Sequence, residues 1–115
     1  MNGDIDLGVL DRMDDVLGGA SETNDLVAEF LRSASAWSEA IASERTMGSG
    51  SEGHRAAHTL ASSAAMVGAL GLARRARALE EAFARGPFPD QEARSEIGAM
   101  LAAVRATWID VGRAR

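Results

Sequence analysis

Two stretches of this chain place apolar residues at alternating spacings of three and four. Val27, Phe30, Ala34, Trp37 and Ile41 form one series; Ile97, Leu101, Val104, Trp108 and Val111 form the other. That rhythm puts each series on one face of an α-helix over about four turns. Each stretch therefore predicts a long amphipathic helix that needs an apolar partner. Twenty-three alanines, no tyrosine and few β-branched or aromatic residues favour helix elsewhere and argue against a sheet. At 115 residues the chain is sized for one domain, residues 1–115, with its own core.

Glycine and proline divide the chain into five helical stretches. The first spans about residues 5–17, with Val9, Leu10, Met13, Val16 and Leu17 on one side, and stops at Gly18-Gly19. The second spans about 22–44. After the flexible Met47-Gly48-Ser49-Gly50, Ser49 and Glu52 have capping-box spacing and open a third helix over about 50–67. The fourth spans about 70–84 with Leu72, Ala76, Leu79 and Phe83 as its buried stripe. Gly86-Pro87-Phe88-Pro89 ends it, and the fifth spans about 90–112. Short connections make neighbouring helices antiparallel. The expected architecture is all-α: an up-down-up-down four-helix bundle with a short extra N-terminal helix. Phe30, Trp37, Phe83 and Trp108 read as its large core residues rather than as a cofactor box.

Composition removes several function classes. Without cysteine there is no disulfide framework, thiolate metal site or cysteine nucleophile. No apolar run reaches the length of a membrane span, and MNGDIDLG lacks the basic-then-apolar order of a signal peptide. A cytoplasmic protein that engages no membrane is the expectation, and the start methionine suggests a stand-alone chain. A net charge of −5 argues against nucleic-acid binding. The charge is uneven: residues 1–52 carry −8 and residues 53–115 carry +3, and all twelve basic residues are arginine. The basic half would attract an acidic partner site.

Chemistry concentrates on the third helix. With His58 at zero on a 100° wheel, His54, Ala61, Ser62 and Ala65 fall within about 60° of it. Leu60 and Val67 fall roughly opposite, as the core face. Both histidines are thus expected on an open face ringed by small side chains. His54 and His58 have the i, i+4 spacing of a metal pair, but no protease-type glutamate or acidic third ligand accompanies them. A nucleophilic His58 that takes and gives a phosphoryl group fits better, since an imidazole is ordinarily neutral enough near pH 7.

Ala57-His58-Thr59-Leu60, then Ser63-Ala64, Val67-Gly68-Ala69, Leu72-Ala73, Ala76 and Leu79-Glu80-Glu81, resemble the histidine phosphotransfer (HPt) domain family. The match is close over about residues 57–81, and the helix order fits over most of the chain. The resemblance implies a four-helix bundle with an exposed phosphoacceptor at His58. It implies a phosphorelay in which a receiver-domain aspartate phosphorylates His58 and another receiver is then charged. The partners it implies are response-regulator receivers or a hybrid histidine kinase. The chain would be a monomeric co-substrate with no ATPase activity and no cofactor of its own, the Mg²⁺ sitting on the receiver. Ala61, Ser62 and Ala65 would form the docking floor beside His58.

Two positions depart from the family pattern. Ala61 stands where the family has lysine, and Ser62 where it has glycine. His54 or Arg55 is expected to restore part of the lost cation, with Arg74, Arg75 and Arg77 adding steering. Three alternatives stay open: a degenerate adaptor that binds receivers without taking phosphate, the dimerisation half of a sensor kinase, and a purely structural bundle. Thr59 argues against the kinase half, which usually has an acidic residue directly after its histidine.

Overall fold

A computed structural model describes residues 5–114, with the side chains of Leu7 and residues 111–114 outside the description. Five helices follow in order: α1 (Leu7–Leu17), α2 (Ala20–Ser43), α3 (Glu52–Met66), α4 (Leu70–Arg85) and α5 (Gln91–Ala114). No strand occurs among the described residues. α3 packs against α2 and α4, and α5 closes the ring by packing against the same two helices, while α1 lies on α2. The result is the expected four-helix bundle with an extra N-terminal helix. Its long dimension of 42 Å suits α2 and α5, since 24 residues at 1.5 Å rise extend about 36 Å.

The apolar stripes meet in one core. Val27, Phe30, Ala34 and Ile41 of α2 are buried with Leu72, Ala76, Leu79 and Phe83 of α4 and Ile97, Leu101, Val104 and Trp108 of α5. Trp37 is only half-buried, its ring 6.5 Å from that of Phe30. Val111, last in the α5 series, lies outside the described side chains. Among the described side chains of α1 only Leu10 is fully buried, whereas Val16 is 82 % exposed and Leu17 is also exposed. Eleven residues lying mainly on one helix, α2, bury a narrower stripe than the spacing suggested.

α3 differs from its expected orientation. Its buried residues are Gly53, Ala56, Ala57, Leu60, Ala61 and Ala64, so the core face of Leu60, with Ala56 and Ala64 beside it, extends round to Gly53, Ala57 and Ala61. A helix gripped from both sides must bury more of its circumference, and alanine permits it because it fills little volume. The start of α3 is also set differently. Ser51, not Ser49, is the N-cap: its Oγ accepts the His54 amide at 3.1 Å. Glu44, from the end of α2, reaches the next free amide, that of Gly53, at 2.5 Å. A Cβ on residue 53 would lie 2.6 Å from the Glu44 Cβ, so this approach requires glycine.

Two further ties fix the ends. Arg94 of α5 donates through Nη1 to the Ala42 and Glu44 carbonyls at 2.6 and 2.9 Å, satisfying orphan acceptors at the end of α2. At the opposite end Gly68 has φ +82°, and the Asp6 amide donates to its carbonyl at 2.8 Å. A Cβ there would sit 3.0 Å from the Asp6 carbonyl oxygen and 3.2 Å from the Val9 Cβ. The α3–α4 turn is thereby pinned to the start of α1.

The Gly53 amide, followed by those of Thr46 and Arg45, holds the Glu44 carboxyl below its ordinary range against the opposing effect of burial. A carboxyl depressed in the folded state contributes stability above its unfolded pKa of ~4.3 and loses it as pH falls through the folded value. Urea unfolding of Glu44→Gln and the parent should therefore differ by a constant amount near pH 7. That difference should shrink below about pH 4.3. A difference independent of pH would show that the charge on Glu44 is not what caps α3.

Candidate functional site

His58 sits on the second turn of α3, and its side chain is 62 % exposed. The backbone supports that placement. Ala57, Leu60, Ala61 and Ala64 turn inward and anchor the helix, which leaves His58, Thr59 and Ser62 outward. Across the α3–α4 seam, Glu80 Oε2 lies 2.7 Å from His58 Nδ1. An ionised carboxylate only accepts, so Nδ1 is the donor. That fixes the tautomer: the proton stays on Nδ1, and the Nε2 lone pair is free for an incoming electrophile. Should Nε2 acquire a substituent, the ring becomes cationic and Glu80 lies ready to stabilise it.

The other expected site residues separate into two groups. Ser62 is exposed and Ala65 half-buried, both on the His58 side of α3. Ala61, expected on the docking floor, is 0 % exposed and belongs to the core. On the wheel it lies 60° from His58, but α4 covers that flank. His54, expected on the open face, has a side chain only 17 % exposed, with Nε2 4.0 Å from the same Glu80 oxygen and Nδ1 buried without a hydrogen-bond partner. It lies under the Glu80 carboxylate rather than before solvent. Arg55 is exposed, but its Nη1 donates at 2.7 Å to the Gly50 carbonyl, back toward the start of α3 and away from His58. Among the described residues no three His, Cys, Asp or Glu side chains are placed to hold a metal ion.

Glu80 is the residue that sequence reasoning passed over. It stood within Leu79-Glu80-Glu81 as part of a pattern and was given no role. Its signal was available in the α3–α4 hairpin. A short antiparallel connection brings a residue about eleven positions before the turn next to one about eleven after it.

An exposed apolar groove lies at the far end of α3 from its N-cap. Met66, two turns beyond His58 on α3 and 65 % exposed, meets Leu26 of α2 and Val16 and Leu17 of α1. Removing Glu80 should release the imidazole from a single tautomer. In long-range ¹⁵N–¹H NMR the parent should show His58 as Nδ1–H, and Glu80→Ala a mixture of both tautomers. Identical ring-nitrogen shifts in the two proteins would mean that Glu80 does not set the tautomer.

Comparison with known proteins agrees with this geometry. The family model described as Hpt domain matches residues 25–107, from most of α2 through most of α5, and leaves α1 outside. Searches of curated proteins and of solved structures return no match. Hpt domains serve histidine phosphotransfer in phosphorelays, which is the chemistry that an anchored, outward-facing imidazole can perform. With the match spanning well over half of its length, the chain belongs to the Hpt domain family.

Proposed function

We propose that this chain is a phosphocarrier between receiver domains, with His58 as the phosphoacceptor. The observation that carries the reading is the pairing of an exposed imidazole with a carboxylate on Nδ1. In the transfer step the Nε2 lone pair forms a bond to the phosphorus of a receiver's aspartyl phosphate. The P–O bond to the aspartate breaks, and its electron pair leaves with the carboxylate. The Nδ1 proton stays in place beside Glu80, so the phosphoimidazolium charge is balanced. The second receiver's aspartate reverses these bond changes. Because phosphoryl transfer asks mostly for alignment and charge neutralisation, a carrier needs little beyond this presentation of Nε2. The receiver brings the Mg²⁺.

The apolar groove of Val16, Leu17, Leu26 and Met66 is the surface we assign to receiver docking. It includes Met66, two turns along α3 from His58, and exposed apolar residues gathered in one patch mark interaction sites.

The test is direct. Purified receiver domains, phosphorylated on their aspartates, are mixed with the protein and Mg²⁺, beside a His58→Gln control. An acid-labile, alkali-stable label should appear on the parent and be absent from the control. No label from any receiver, with saturable binding retained, would replace the carrier reading with that of a phosphate-blind adaptor. For docking, Met66→Glu should weaken receiver binding by about tenfold or more, with the helical circular dichroism unchanged. Equal affinity would remove the groove from the interface.

A further inference from the structure

Phosphorylation of His58 creates an electrostatic problem at this site. A phosphoryl group carries about −1.5 to −2 charges at neutral pH. Glu80 already places a carboxylate on the other nitrogen of the same ring. The developing charge calls for a cation, and α3 does not supply one: Arg55 is turned back to Gly50, and His54 lies beneath Glu80.

The α3–α4 hairpin supplies one instead. α3 and α4 run antiparallel through the three-residue turn 67–69, with His58 level with Glu80. Three residues onward along α3 is Ala61; three residues back along α4 is Arg77. Both steps advance about 4.5 Å in the same direction, so Arg77 stands level with Ala61, one turn along the seam from His58. Its side of the helix is also fixed. Glu80 faces α3, whereas Arg75 faces α5, where it ion-pairs with Glu96. At 100° per residue Arg77 lies about 60° from Glu80 and about 160° from Arg75, on the outer edge toward α3.

Arg77 is exposed, and among the described residues it makes no hydrogen bond or ion pair. Its neighbours are committed: Arg75 to Glu96, Arg85 to Glu81, and Arg74 to an interaction of its own. The α3 residues on the His58 side toward the turn, Ala61, Ser62 and Ala65, all carry small side chains.

We infer that Arg77 is the phosphoryl-binding cation of this site, its guanidinium reaching across the seam to the phosphoryl oxygens on His58 Nε2. The inference rests on the phosphocarrier reading and names a residue on a helix that does not carry the phosphoacceptor. A guanidinium suits the task because it can give two parallel hydrogen bonds to a phosphoryl group.

The experiment uses phosphoramidate, which needs no partner protein. Nε2 attacks its phosphorus, the P–N bond of the reagent breaks, and ammonia departs. Phosphohistidine formation is followed by ³¹P NMR in the parent, Arg77→Ala, Arg77→Lys and Arg85→Ala. Arg85→Ala removes the same charge farther along α4. Arg77→Ala should form phosphohistidine about tenfold more slowly, the effect of one charge-assisted hydrogen bond. Arg77→Lys should recover part of the rate, and Arg85→Ala should match the parent. The ³¹P shift of the phosphorylated protein should titrate at higher pH in Arg77→Ala, because a lost cation makes the second ionisation harder. A purely structural role would not move that titration. Equal rates and equal titrations in the parent and Arg77→Ala overturn the assignment while leaving the carrier reading intact. Absence of label at His58 in the parent, from phosphoramidate and from receivers alike, overturns both.

Discussion

The 2.7 Å contact between His58 and Glu80 depends on how closely α3 and α4 approach. Ala57, Ala61 and Ala64 line the inward arc of α3, and Ala73 and Ala76 lie buried on α4. Methyl side chains let two helix backbones draw near, and only then does a glutamate on one reach an imidazole on the other. A bulkier seam would push Glu80 off the ring and leave both ring nitrogens to solvent. The packing that stabilises this half of the bundle thus also selects the tautomer of its one well-exposed histidine. Ser51 and Glu44 act earlier in the same chain of cause: by capping α3 they fix where its first turn begins, and so the direction in which His58 points.

Much of the fold could be read in the sequence. The three-and-four spacings of α2 and α5 and the Leu72–Phe83 stripe of α4 correspond to buried faces, and Gly18 and Gly86-Pro87 mark real helix ends. The orientation of α3 was harder. About half of its residues are alanine, serine or glycine, so hydropathy gives no strong direction, and a wheel centred on His58 cannot tell which flank a neighbouring helix will cover. Ala61 and His54 were misplaced for that one reason. The cap shifted from Ser49 to Ser51 because both serines precede an acidic or amide-bearing turn, and only the reach of Glu44 from α2 settles the register. The contact of Glu80 with His58 was legible only through the hairpin, as a sum of positions rather than any local motif.

The complete absence of lysine acquires a structural meaning in this setting. Arginine differs from lysine in binding through a planar fork to several acceptors at once. Arg94 uses that fork as a staple between two helix ends, holding the Ala42 and Glu44 carbonyls while its Nε donates to Pro89. Arg105 likewise bridges α5 to the Leu31 carbonyl and Ser35 of α2. Several arginines in this chain are therefore architectural, and charge totals for one half of the sequence overstate the surface free to meet a partner.

The pinning of Asp6 to Gly68 gives α1 two neighbours of different character. One end of it clasps the turn that joins the His58 helix to the Glu80 helix, while its far end contributes Val16 and Leu17 to the apolar groove. It lies outside the residues matched by the family model, so the groove has one wall within the matched segment and one wall outside it. Substitutions along the outer side of α1 can reshape that wall without entering the core or disturbing the imidazole. The groove and the imidazole thus sit on separate pieces of the polypeptide, and a change in one need not alter the other.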